Sequence, residues 1–322
     1  MRSFAAVIIS AATARVMTET DYEFIKFVAT HAKNYATVEE FNMRAAIFAE
    51  THAEIAKLNA TESSVHGHNK FSDWTREEYR KMLGLKDIQM APANACLSGT
   101  PTADSVNWRD AGKVDAIQDQ GQCGSCWAFS TALSTSAAYA IDVKDVVYSL
   151  SQQQLVDCAG PLNHGCNGGM YTYAWNYLKN NSFMLASDYP YTAVDGTCAY
   201  DESKGVMHTG GNSGRHPFEN ICQDVASIKA AIQTKPNSVA IKADSFVFQT
   251  YKSGVLDSDK CGTTIDHAVT AVGYGVEDGK EYFLVQNSWG VGWGDNGLVK
   301  IAATEGAGTC GINQNVAYPY VY

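Results

Sequence analysis

Charged side chains make up only 18% of this 322-residue chain, against roughly a quarter in ordinary soluble domains. Cations are the scarcer sign: 24 Lys and Arg face 34 Asp and Glu, a net charge of −10. Without a basic excess, a dominant electrostatic grip on phosphates is excluded, and no nucleic-acid partner is expected. Long apolar runs are also missing. No stretch reaches the roughly 18 residues needed to cross a bilayer, so no membrane span is expected. Internal repeats, low-complexity tracts and sustained heptads are absent, which removes collagen, coiled coil and disorder. What is present is 45% hydrophobic and 11% aromatic residues, enough for a sizeable core in two or three units. Cysteine is plentiful at nine, and the number is odd. In an oxidising compartment at least one thiol would lack an intramolecular partner.

The N-terminus points to such a compartment. Met1-Arg2-Ser3 is short and positive, Phe4 to Ala12 is apolar apart from Ser10, and Ala12-Thr13-Ala14 supplies small residues for a peptidase. Residues 1–14 are therefore expected to be a secretory signal peptide. Soluble, disulfide-permissive surroundings follow, in an acidic lysosome- or vacuole-like lumen or outside the cell. Asn59-Ala60-Thr61 and Asn180-Asn181-Ser182 are acceptor sites for N-glycans.

Two textures divide the rest. Residues 15–86 hold no Pro, no Cys and only Gly67 and Gly84, and they suit helices. Tyr22, Ile25 and Phe27 recur at helical spacing. A longer helix is expected over 39–59, with Phe41, Ala45, Phe48, His52, Ile55 and Ala56 or Asn59 on one stripe. Thr75 and Glu78 form a capping box for a third, short helix. A Pro/Gly/Ser-containing linker follows from about 88 to 101. Beyond it cysteines, glycines and aromatics increase. Residues 1–101 carry 11 basic and 12 acidic side chains, whereas 102–322 carry 13 and 22. Helices are expected from Cys126 to about Ile141 and from Met170 to about Lys179, and strands at 238–242, 268–274, 281–286 and 297–301. Helices followed by strands indicate an α+β fold.

The chemistry concentrates at Gln120-Gly-Gln-Cys-Gly-Ser-Cys-Trp-Ala-Phe-Ser130. Small residues precede Cys126 and helix formers follow it. This places its sulfur at the first turn of a helix, where free N–H groups and the dipole favour a thiolate. A nucleophilic thiol also needs an imidazole for its proton. Of eight histidines, His267 stands where an apolar strand begins. Asn287, twenty residues on, could orient the ring, with Trp289 shielding that bond from water. Gln120 could donate its side-chain N–H to a developing oxyanion, together with the Cys126 N–H.

On these residues the chain resembles the papain-like cysteine proteases, cathepsin L type. Cys-Gly-Ser-Cys-Trp with His and Asn 141 and 161 residues downstream matches their pattern. Asp157-Cys158, Gly165-Cys-Asn-Gly-Gly169, Tyr189-Pro-Tyr191, Gly273-Tyr-Gly275 and Gly290-Val-Gly-Trp-Gly294 match as well. The family's helical propeptide pattern is found in Glu40, Arg44, Ile47-Phe48, Thr51 (where Asn is usual), Ile55 and Asn59. Its second motif is complete in Gly67, Asn69, Phe71 and Asp73. Asn107 and Gln152 replace a usual Asp and Glu.

The resemblance implies a two-lobed papain-like fold, with a helical lobe starting at Cys126 and a strand-rich, barrel-like lobe carrying His267 and Asn287. It implies an inhibitory propeptide at 15–101 and a mature domain at 102–322, cleaved near 88–102. It implies a cysteine endopeptidase zymogen, monomeric, acting on proteins and peptides, with its own propeptide as inhibitor and with no metal or cofactor. Cys126 would attack, His267 would carry the proton, Asn287 would orient it, and Gln120 would serve the oxyanion. Gly168 and Gly169 would pair with substrate backbone, beside a side-chain pocket of Met170, Tyr171, Ala240, Ile265, Ala268 and Asn315. Expected bridges are Cys123–Cys166, Cys158–Cys198 and Cys261–Cys310, which leaves Cys96 and Cys222 to tie the linker to the mature domain. His66 and His68 would loosen the propeptide when protonated, or would simply be solvated; His164, His208 and His216 are expected at the surface. The competing readings are a non-catalytic binder on the same scaffold and a thiol oxidoreductase using Cys123 and Cys126. Binders of that kind lose the Cys or His, and both stand here. A zinc site would want a second matched pair, which does not recur.

Overall fold

The computed structural model describes residues 16–86, 101–210 and 216–322. The expected signal peptide, most of the linker and Cys96 lie outside them.

The N-terminal region begins with helix α1 (Glu19–Thr30), opened by a capping box in which Thr18 and Asp21 bond reciprocally. Helix α2 (Val38–Thr61) crosses it. Phe24 and Phe27 of α1 meet Phe48 of α2 in a small core of their own. Tyr22 and Ile25, expected on the buried face, are instead 59% and 47% exposed. The stripe read from the sequence lies one residue off, because Phe24 and Phe27 share a face with positions 28 and 31, not with 22 and 25. On α2 the buried residues are Phe48, Thr51, Ile55 and Leu58, while Ala56 and Asn59 point outward. The Thr75–Glu78 box starts the short helix α3 (Arg76–Arg80), as its spacing predicts.

The C-terminal region has two cores. One surrounds α4 (Cys126–Asp142), α5 (Gln152–Cys158) and α6 (Tyr171–Leu178). Helix α4 is buried on nearly every side, so its surface is Ala, Ser and Thr. Three of its hydroxyls are satisfied by turning back on the helix: Thr131 donates to Trp127 O at 2.7 Å, Ser134 to Ser130 O at 2.7 Å and Thr135 to Thr131 O at 2.6 Å. The other core is built on an eight-stranded sheet. Strand His267–Glu277 lies at its middle, flanked by Asn237–Ile241 and Lys280–Gln286, all antiparallel. Helices α7 (Val225–Thr234) and α8 (Phe246–Gln249) complete this half. Ser130 donates to Val269 O at 2.8 Å, joining α4 to the central strand.

The N-terminal region adds to both cores. Leu58, Phe71, Tyr79 and Met82 join the sheet core, and Leu85 joins the helical one. Its strand Val65–His66 pairs with Tyr251–Ser253. The disulfides are Cys123–Cys166, Cys158–Cys198 and Cys261–Cys310. Cys222 is disulfide-bonded too; its expected partner Cys96 is outside the described residues. Cys126 is a free thiol. Among the described residues no helix is long and apolar enough to cross a membrane.

Candidate active site

Cys126 is the first residue of α4, after Ser125 in non-helical geometry, and no side chain caps this end. The helix therefore offers its own N–H groups and its positive pole to the thiol. The sulfur accepts the backbone N–H of Ala268 at 3.4 Å, and the Gly84 and Trp127 backbone also favours its charged form. His267 immediately precedes Ala268 at the head of the central strand, so this bond brings the imidazole's backbone beside the thiol. His267 Nε2 lies 2.8 Å from Asn287 Oδ1. The Trp289 ring covers the imidazole, with centroids 4.8 Å apart and a 31° tilt. His267 Nδ1 is buried and has no hydrogen-bond partner. With Nε2 committed to Asn287, Nδ1 is the nitrogen left to take a proton.

Gln120 is held by residues that sequence reasoning did not single out. Its N–H donates to Ser288 O at 2.8 Å, its Oε1 accepts from Ser288 Oγ at 2.7 Å, and its carbonyl accepts from Tyr191 OH at 2.8 Å. Fixing Oε1 on Ser288 leaves Nε2 as the free donor, and it donates to Met82 O at 2.9 Å and to Cys123 O at 2.7 Å. Ser288 and Tyr191 sit in motifs noted in the sequence, but nothing there says which neighbour each would bond.

Residues 82–86 of the N-terminal region run through the cleft. Leu85 N–H donates to Asp266 O at 3.1 Å, Gly169 N–H to Gly84 O at 2.8 Å and Lys86 N–H to Gly169 O at 3.4 Å, a parallel pairing of Leu85 with Gly169. Glycine is required on both sides of this contact. A Cβ on Gly84 would stand 1.8 Å from Gly124 O, and Gly168 has φ +116° with a hypothetical Cβ 2.7 Å from Gly84 O. Gly84 O is committed to the Gly169 N–H, and the occupying chain runs parallel to Gly169.

Leu85, which is 6% exposed, belongs to the same core cluster as Met170, Tyr171, Ala240 and Ala268 of the expected side-chain pocket, and Ile265 packs against that cluster. Asn315 does not project a free amide oxygen into it. Tyr171 OH donates to Asn315 Oδ1 at 2.5 Å and lies 2.9 Å from its backbone oxygen, so the polar end of the pocket is capped.

Electrostatics in this covered state favour neutral partners. Burial pushes the Cys126 thiol up to about 11, against the pull of the Ala268, Gly84 and Trp127 backbone. Burial likewise draws His267 down to about 4, against its bond to Asn287. Desolvation penalises both charged forms, and the segment lying over the cleft contributes to it.

The remaining expectations fall out differently. His66 is not solvated: it is 3% exposed, with Nδ1 3.0 Å from Thr250 Oγ1 and Nε2 3.1 Å from Ser64 Oγ. His68 is stacked on Phe48 at 4.2 Å and lies 3.0 Å from His52 Nδ1. His164 and His216 are exposed, whereas His208 is half-buried against Tyr322. Asn59 bonds the His66 backbone in both directions, at 2.8 and 3.0 Å, while Asn180 is exposed. Asn107 closes a local turn by accepting the Arg109 N–H at 3.1 Å. Gln152 donates to Gln118 Oε1 at 2.5 Å, so neither departure reaches the thiol. Among the described residues no group of three His, Cys, Asp or Glu could hold a metal.

Two parts of the chain resemble known proteins. Residues 102–320 match the papain family cysteine protease domain, and residues 24–79 match the cathepsin propeptide inhibitor domain. The chain is 42% identical over 262 residues to the probable cysteine protease RD21B of Arabidopsis thaliana, covering 79% of this chain and 55% of that one. It therefore spans little more than half the length of that relative. It is 38% identical to the cysteine protease XCP2 of the same plant, over 92% of this chain and 85% of the other. The structure of digestive procathepsin L 3 from Tenebrio molitor larval midgut superposes with a TM-score of 0.84 at 32% identity, covering 94% of this chain and 99% of that one. From residue 24 to residue 320, in sequence and in fold, the chain belongs to the papain family of cysteine proteases and carries that family's inhibitory propeptide ahead of the protease domain.

Proposed function

We propose that this chain is an autoinhibited cysteine endopeptidase whose nucleophile is Cys126. Once the propeptide leaves the cleft, water and substrate reach the thiol, and the desolvation that holds it neutral falls. His267 Nδ1 takes the thiol proton, and the α4 N-terminus stabilises the thiolate. The sulfur attacks the scissile carbonyl, and Gln120 Nε2 with the Cys126 N–H stabilises the oxyanion. His267 then gives its proton to the leaving amine, and water cleaves the thioester. Asn287 holds the ring so that Nδ1 faces the sulfur throughout. Gly168 and Gly169 pair with the substrate's acyl part, and Leu, Val or Phe fills the pocket that Leu85 now occupies.

The observation that carries this reading is propeptide backbone lying against the expected machinery: Gly84 O accepts the Gly169 N–H and Met82 O accepts from Gln120 Nε2. An inhibitor of a hydrolytic cleft would sit there, and a redox dithiol would not need one; Cys123 is in any case bonded to Cys166. We place the enzyme in an acidic lumen of the secretory route, as a monomer released by cleavage between about residues 88 and 102. A mechanism-based thiol probe with Leu at its second position should label acid-processed protein at Cys126, and Cys126→Ser protein should hydrolyse peptides at least about 1,000-fold more slowly. Hydrolysis persisting in that variant would exclude the mechanism.

A further inference from the structure

Gly84 lies against Gly124, two residues before Cys126, and the chain leaves it in two directions. Leu85 and Lys86 run along Gly169, on the side that the proposed function gives to the acyl part of a substrate. Met82 and α3 run the other way, over the side where the leaving amine and the residues after it would lie. Tyr79 OH reaches Ala243 O there at 3.0 Å. Beside it two guanidinium groups converge on one carboxylate. Arg76 Nη2 and Arg80 Nε both donate to Asp244, the latter at 2.8 Å. Arg76 Nη1 also donates to Gln249 Oε1 at 3.2 Å, and its guanidinium lies 5.1 Å from the Phe246 ring centroid. One planar group therefore meets a carboxylate, an amide oxygen and an aromatic face together.

The receiving groups belong to the protease domain and lie on and just before helix α8. Phe246 and Gln249 are the two ends of α8, which Ser245 caps by accepting the Phe248 N–H. Asp244 keeps one cation of its own domain, Lys242 at 3.8 Å, but Lys242 is already paired with Asp266 at 2.6 Å. Loss of the propeptide removes both arginines and leaves an under-neutralised carboxylate beside an open ring face. Resting on the proposed peptidase activity, we propose that Asp244, Phe246 and Gln249 form an arginine-binding subsite for the leaving-group half of the substrate, which the zymogen fills with its own Arg76. The flat fork of arginine satisfies carboxylate and amide oxygen at once while stacking on the ring, and lysine offers only a point charge. The site thus selects substrates with Arg shortly after the scissile bond.

The test uses acid-processed enzyme and quenched peptides with Leu at the second residue before the scissile bond. Arg, Lys, Gln or Glu is placed in turn at each of the three positions after it. At one of these positions kcat/KM for Arg should exceed that for Gln by about five- to tenfold, with Lys between and the ratio shrinking as salt is added. Asp244→Asn should bring the ratio toward unity, and Asp244→Lys should turn it to favour Glu over Gln. A flat profile in the wild type at all three positions, or a ratio untouched by both substitutions, overturns the subsite while leaving the peptidase reading intact. Failure of the wild type to cut any of the peptides overturns that reading and the subsite with it.

Discussion

The propeptide and the protease domain are stabilised by different means. Between residues 101 and 322 the chain is cross-linked by three described disulfides and organised around two large cores. Residues 16–86 contain no cysteine, and their own core is little more than Phe24, Phe27 and Phe48. Their order depends on ion pairs and on surface borrowed from the protease. Arg44 forks onto Glu78 at 2.6 and 2.7 Å, and Lys33 and Tyr35 both hold Asp73. Phe71 is fully buried with its edge against Trp289, ring centroids 5.3 Å apart. One region is held by its own covalent links and cores, the other by its contacts with its neighbour.

The borrowed surface gives the largest effect. Phe71→Ala removes the ring that joins Trp74 and Tyr79 of the propeptide to Trp289 of the protease domain, and truncating a buried Phe costs about 3–5 kcal/mol. Activity of the unprocessed zymogen at neutral pH should rise by roughly a hundredfold, read with a fluorogenic peptide. No rise would mean that the propeptide does not depend on this contact. Asn287→Ala strikes the other region. Loss of its bond to His267 should lower kcat/KM by about tenfold to a hundredfold and move the alkaline limb of the pH profile to lower pH, because the imidazolium is less supported. A fall in rate with the limb unmoved would assign Asn287 a merely structural role.

The pH response separates the regions more finely. Burial, followed by the neighbouring His52 and His31, pulls His68 down to about 4. A released chain takes up that proton near 6.5, so the folded propeptide loses stability as pH falls from about 6.5 to about 4. Glu78 works in a lower window. Its bonds to Arg44 hold it at about 2, below the ordinary 4.5, so its contribution is complete above about 4.5 and is lost only on the way down to 2. Between pH 6.5 and 4.5 the histidine responds and the ion pair does not. His68→Leu, which keeps an apolar partner for Phe48, should slow processing at pH 5 by about tenfold, measured by gel mobility over time. Processing at the wild-type rate would shift the acid response to other groups.

Local features of this design are visible in the sequence. The capping box at Thr75, the helix beginning at Cys126 and the strands of the central sheet follow from spacing alone. The three bridges and the roles around Cys126 came with the family resemblance, not from spacing. Other features depend on distant neighbours. Tyr22 and Ile25 have the right period for a buried face, but α1 packs on α2 through Phe24 and Phe27. His66 and His68 look solvated beside Gly67 until the protease strand at 251–253 and the α2 ring of Phe48 cover them. Arg76 and Asp244 are separated by 168 residues, so no local pattern could pair them.

On the proposed reading the propeptide silences Cys126 by covering it and keeping its thiol neutral. The direct measurement is the rate of Cys126 alkylation by iodoacetamide against pH, in the intact zymogen and in the acid-processed enzyme, with peptide mapping to locate the label. The account predicts negligible labelling of the zymogen at pH 7, and rapid labelling of the processed enzyme with a thiolate titrating well below that pH. Equal rates in the two forms, or a processed enzyme whose thiol still titrates near 11, would contradict it.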